Sequence, residues 1–229
     1  SISATVFVEE TYDMVNNELI ITDSRLLSKD EVMAIGVDNF APLSEVPMPR
    51  AATITRGRLT ITFSGVYNTS NGVSCNLTGT AHWDDSGLHT EGENYCATGE
   101  DFIGVTWSGS FTAKSHSISG KNQLGGALTI YNSDSTPNAG RVWSFKDSNP
   151  TSKYTLYAKD INLNVNISKN TLTGNGNTAE AVLKYIHTYS KVKGSISITP
   201  GSETVAGSFS LSNTDRQWSL VCTVTNIPY

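Results

Sequence analysis

Arg58-Leu59-Thr60-Ile61-Thr62-Phe63-Ser64 alternates strictly: Leu59, Ile61 and Phe63 point one way, and Thr60, Thr62 and Ser64 the other. A period of two puts one face in a core and the other in water, which defines a strand and not a helix. Asn68-Thr69-Ser70-Asn71-Gly72 follows, and Asn-Gly supplies the positive φ angles of a tight hairpin turn. The return strand carries Val73, Cys75 and Leu77 on its apolar face. A third strand spans Phe102–Phe111, with Ile103, Val105 and Trp107 on one face. These strands, within 51–113, decide the fold class.

Upstream, Ile2, Ala4, Val6 and Val8 form one face of an opening strand, and Leu19–Thr22 is a second. Ser28-Lys29-Asp30-Glu31 is a capping box, which starts a short helix by satisfying its first free N–H groups reciprocally. Pro42, Pro47 and Pro49 make 36–50 an irregular connector.

Downstream, strands are expected around Gly125–Tyr131, Val142–Phe145, Tyr154–Ala158, Ile161–Ile167, Ser195–Thr199, Val205–Leu211 and Gln217–Val224. Ala179–Tyr189 carries two periods at once. Val182, Tyr185, Ile186 and Tyr189 fit a helix, whereas Leu183, Tyr185, His187 and Tyr189 fit a strand; in a chain otherwise rich in strands it reads as a strand. The expectation is one all-β domain over 1–229 with one short helix. It is an antiparallel β-sandwich, with a barrel-like closure as the alternative.

Only 16% of residues are charged, while serine and threonine number 55 and asparagine 19. That balance is common in extracellular β proteins and sets the expected location as secreted or cell-surface. No apolar run reaches the length of a membrane-spanning helix, so no transmembrane segment is expected. Charge is uneven along the chain. Residues 1–58 sum to −4, residues 59–113 to −6 with no Lys or Arg, and residues 114–229 to +5. The acidic half repels phosphate, which argues against nucleic acid as a partner.

Three groups of residues are candidates for a site. His82, Asp84, Asp85, His89, Glu91 and Glu93 lie close together in one acidic stretch. These are residue types that divalent ions take, but the spacing matches neither HExxH nor an EF-hand. At most a weak divalent cation is expected, and no other cofactor. Cys75 and Cys96 bracket the same stretch. A disulfide between them would add about 3 kcal/mol by shrinking the unfolded ensemble and leave Cys222 as a buried thiol; Cys75–Cys222 and Cys96–Cys222 are the other pairings that sequence permits. Trp83 and Trp143 sit at strand ends beside polar loops, where aromatic rings can stack on sugars.

No nucleophile elbow, P-loop or CxxC is present, and Gly174–Ala179, although it fits GxGxxA, reads as an Asn/Gly turn. The sequence therefore points away from an enzyme. It points to a non-enzymatic protein of adhesion, recognition or surface assembly. Its expected partners are a host or surface glycan or protein, or copies of itself, as in a pilus or filament subunit. A secreted β-sandwich pore-forming toxin is the alternative, and a hydrolase with an unrecognised site ranks below both.

Overall fold

A computed structural model describes residues 1–15, 18–36, 53–84, 99–150, 155–169 and 176–228. In chain order the elements are β1 (Ile2–Val15), β2 (Glu18–Leu26), α1 (Lys29–Ile35), β3 (Thr53–Asn68), β4 (Val73–Asp84), β5 (Glu100–Trp107), β6 (Thr112–Asn122), β7 (Ile130–Thr136), β8 (Gly140–Lys146), β9 (Ser148–Pro150), β10 (Thr155–Lys169), β11 (Thr178–Thr188), β12 (Ser195–Thr199), β13 (Ser208–Ser212) and β14 (Gln217–Pro228). Among the described residues the chain adopts the expected all-β fold with one helix. The helix starts where the capping box put it: Ser28 Oγ accepts from the Glu31 N–H, and Glu31 Oε2 accepts from the Ser28 N–H.

Two antiparallel sheets face each other. The first runs β2-β1-β3-β4-β10-β6, with β9 pairing to β10, and the second runs β14-β11-β5-β8-β7. The alternation quoted above builds the first sheet's inner face: Leu59, Ile61 and Phe63 on β3 and Val73, Cys75 and Leu77 on β4 are all buried. Ile161, Leu163, Val165 and Ile167 on β10 complete it, while the intervening asparagines face outward. Across the interface stand Ile103, Val105, Trp107, Leu183 and Tyr185, in the same cluster.

The second sheet is covered on its other face as well. The β12–β13 hairpin packs Phe209 and Leu211 on Phe102, Val142 and Ile186. Gly104 on β5 makes this approach possible. A Cβ there would stand 2.8 Å from both Phe209 Cε1 and Val142 Cγ2, inside van der Waals contact. Strand β5 is therefore buried on both faces from Asp101 to Trp107.

Ala179–Tyr189 resolves as the strand β11 over Thr178–Thr188. Gly176 and Asn177 lead into that strand and no helix follows them, so the GxGxxA match opens no dinucleotide fold. The connector from 37 to 50 lies outside the described residues.

The uneven charge along the chain does not become a separation in space. The acidic and basic halves interleave: β6 and β10 of the basic half complete the first sheet, and β5 of the acidic half lies inside the second. The opening strand is built into the first sheet. β1 pairs with β3 from Ile2 to Tyr12 and with β2 from Val8 onward.

Candidate functional site

At one end of the sandwich the apolar alternation of four strands runs on into a charged residue. On β1 the inward series Ala4, Val6, Val8 continues to Glu10. On β5 the series Trp107, Val105, Ile103 continues to Asp101, and on β11 Leu183 and Tyr185 lead to His187. Beyond β8, Trp143 and Phe145 lead to Asp147. Each is held inside by its phase, and all four are 3% exposed or less.

His187 is the hub. Its Nε2 lies 2.6 Å from Glu10 Oε1, across the sandwich. Its Nδ1 lies 3.0 Å from Asp101 Oδ2 and 3.5 Å from Asp147 Oδ2. Asp101 also accepts from the Tyr185 hydroxyl at 2.5 Å and from the Thr188 N–H at 2.9 Å. Ser24 Oγ donates to Glu10 at 2.9 Å, and Trp218 Nε1 donates to Ser24 at 3.0 Å. Trp83 Nε1 donates to the Tyr185 oxygen. The imidazole lies against the Trp218 and Trp83 rings, with centroids 5.0 and 5.9 Å away.

Burial alone would strip the proton from His187, but the Asp101 charge and hydrogen bond, reinforced by Glu10, hold its pKa well above the ordinary imidazole value. Burial pushes Asp147 well up, and the neighbouring Asp101 charge pushes it further. Tyr185 is raised by burial and then by Asp101. Among the described residues, Asp101, Asp147 and His187 form the one set of His, Cys, Asp or Glu side chains with converging ligand atoms, all within 4.8 Å of one another. Every member of this set is buried.

A second feature is open to solvent. A groove of about 830 Å³ runs between β7, β8, β9, β10 and β12. Its walls include Asn122, Thr129, Asn132, Asn149 and Ser195, with Tyr131 at its rim. Tyr131 is 58% exposed. A smaller hollow of about 200 Å³ adjoins it, sharing Glu100, Lys146 and Lys193 and adding Lys191. Three exposed lysines thus meet one acid at this end of the groove.

The residues singled out by sequence fall elsewhere. His82 and Asp84 lie on the outer face of β4, because their parity is opposite to that of Trp83. There His82 Nδ1 meets Asp160 Oδ1 at 2.6 Å and Nε2 meets Asp84 Oδ1 at 3.1 Å, while Asp84 also pairs with Arg58. This is a surface network across three strands. Asp85, His89, Glu91, Glu93 and Cys96 lie outside the described residues. Cys75 is a free thiol, so the expected Cys75–Cys96 bridge is not formed. The physical reason is parity, since Cys75 shares the inward face of β4 with Val73 and Leu77 and is fully enclosed. Burial pushes its pKa up to about 11. Cys222 is likewise a free, buried thiol, as expected. Trp83 and Trp143 are 2% and 3% exposed; both are core side chains and present no face for stacking.

The chain matches no protein-family model, and no curated protein is significantly similar to it. No helix among the described residues is long and apolar enough to cross a membrane.

Proposed function

We propose that the protein is a non-enzymatic extracellular recognition protein whose groove takes an acidic glycan. The observation that carries this reading is the groove with lysines at one end. Its volume of about 830 Å³ suits a small oligosaccharide, being within the range of ligand sites. Amides and hydroxyls of Asn122, Thr129, Asn132 and Asn149 can exchange hydrogen bonds with sugar hydroxyls. The exposed Tyr131 ring replaces the buried tryptophans as the stacking surface. Lys146, Lys191 and Lys193 would meet a carboxylate or sulfate, in a molecule whose net charge is −5. The extracellular location rests on composition alone, since no disulfide supports it.

The test is titration of heparin, alginate and a neutral dextran oligosaccharide into the protein by calorimetry. Binding to one of the acidic glycans, none to the neutral one, and a loss of about tenfold or about 1.4 kcal/mol in Lys193→Glu are expected. Absence of binding to both acidic glycans, or equal binding in Lys193→Glu and Tyr131→Ala, would overturn the reading.

A second reading, assembly from copies of the chain, has its own observation. Residues Ile2–Val6 pair with β3 on one side, and on the other side β2 and the residue after it reach the strand only from Phe7 onward, where the Leu27 N–H donates to the Phe7 carbonyl. An edge of this kind can accept a strand from another copy. Light scattering at micromolar concentration separates the two readings, since the glycan reading needs only a monomer.

A further inference from the structure

The geometry points to a buried divalent transition-metal site, of the Zn²⁺ or Mn²⁺ class, held by Asp101, Asp147 and His187. Three observations carry it. The first is spacing. Ligand atoms bound tetrahedrally at about 2.0–2.1 Å stand about 3.3 Å apart. The Nδ1 to Oδ2 separations of 3.0 Å to Asp101 and 3.5 Å to Asp147 bracket that edge.

The second is an orphaned acceptor. Asp147 Oδ1 is buried and has no hydrogen-bond partner among the described residues, although the Ser148 N–H serves the same carboxyl group. A buried carboxylate oxygen without a donor is costly, and a cation bound by both Asp147 oxygens would satisfy it. Neither Asp101 nor Asp147 pairs with a Lys or Arg among the described residues.

The third is the imidazole's other nitrogen. Nε2 meets Glu10 at 2.6 Å. A proton on Nε2 donated to Glu10 leaves the Nδ1 lone pair facing the two aspartates. Metal-binding histidines are commonly oriented by such a carboxylate behind the ring. Tyr185 and Thr188 hold Asp101 in the same way, through the hydroxyl and the backbone N–H.

One imidazole and two carboxylates suit Zn²⁺ or Mn²⁺; Ca²⁺ prefers six to eight oxygens. With every ligand buried, the site is closed and its role is structural. It would join β5, β11 and the end of β8, and reach the first sheet through Glu10. The competing arrangement holds protons on His187 and Asp147 in place of the ion.

The experiment is refolding from denaturant with a slight excess of Zn²⁺ or Mn²⁺, desalting, and elemental analysis by mass spectrometry. Wild type is expected to keep about one ion per chain, with a thermal midpoint about 5 °C above protein refolded with chelator. Asp147→Asn and His187→Gln are expected to keep none and to show no such shift. Wild type that refolds with either ion and retains none overturns the site. So does Asp147→Asn if it melts at or above the ion-treated wild type, because that is the response of a protonated acid relieved of its burial. Wild-type retention decides the question even where a variant fails to fold.

Discussion

His187 Nε2 and Glu10 Oε1 stand 2.6 Å apart although 177 residues separate them in the chain. One belongs to β11 in the second sheet and the other to β1 in the first. The contact therefore crosses the sandwich at full burial, and both partners are screened from water. Removing one member of a buried, hydrogen-bonded charge pair is much more costly than removing an exposed one.

Glu10→Ala is accordingly expected to destabilise the protein by about 3–5 kcal/mol. Arg25→Ala, which breaks the exposed pairs to Glu9 and Glu31, should cost about 1 kcal/mol or less. Urea unfolding of the two variants measures the difference; equal midpoints would show that the buried cluster contributes no more than a surface pair.

Cys75 makes a prediction about alkaline pH. Its folded pKa is raised from 9.0 to about 11. A raised folded value means that stability is fully present below pH 9 and is lost as pH rises through about 11, because the unfolded thiol ionises first. The loss over that window is on the order of 2 kcal/mol. Cys75→Ala should show a flatter decline of stability between pH 9 and 11. In the native state at neutral pH, Cys75 should resist iodoacetamide and react only after denaturation.

Gly104 tests the third layer. Gly104→Ala places a methyl 2.8 Å from Phe209 Cε1 and Val142 Cγ2 and 2.9 Å from the Arg141 carbonyl. The expected cost is about 1–3 kcal/mol, read as a lower thermal midpoint. A midpoint matching wild type would mean that the β12–β13 hairpin shifts without loss.

Deleting residues 1–10 should abolish folding, not yield a stable monomer. The deletion removes most of the ladder to β3 and with it Glu10. Circular dichroism retaining the strand signal and a cooperative melt would contradict this placement of β1.

The strands were legible in the sequence because half-buried sheets print a period of two. Leu59, Ile61 and Phe63 obey it, and so does the Asn/aliphatic series Ile161–Ile167. The helix start was legible from four residues, Ser28 to Glu31. The buried cluster is not legible locally, although its signal is present: Glu10, Asp101, His187 and Asp147 each occupy the next inward position of an apolar series. The strand period puts His187 on the inward face, but its partners lie on β1, on β5 and just past β8, and pairing order is a long-range property. The acidic stretch after Trp83 drew attention through local density of charge, yet parity sends His82 and Asp84 to the outer face. The same parity turns Cys75 inward. Burial of Trp83 and Trp143 depended on a facing sheet that no local pattern reveals.

The cluster's span along the chain also bears on how the protein is made. Glu10 leaves the ribosome early, whereas His187 follows after most of the remaining chain has been synthesised. Until then β1 can pair with β2 and β3, but Glu10 has no imidazole to face. Partner strands so far apart in sequence make for slow folding, and the unfinished sandwich leaves apolar faces open to other chains. In the finished sheet β11 lies between β5 and β14, and its seating brings the imidazole to Glu10. Synthesis rate and chaperone supply, more than the strength of any one contact, should then govern the yield of native protein.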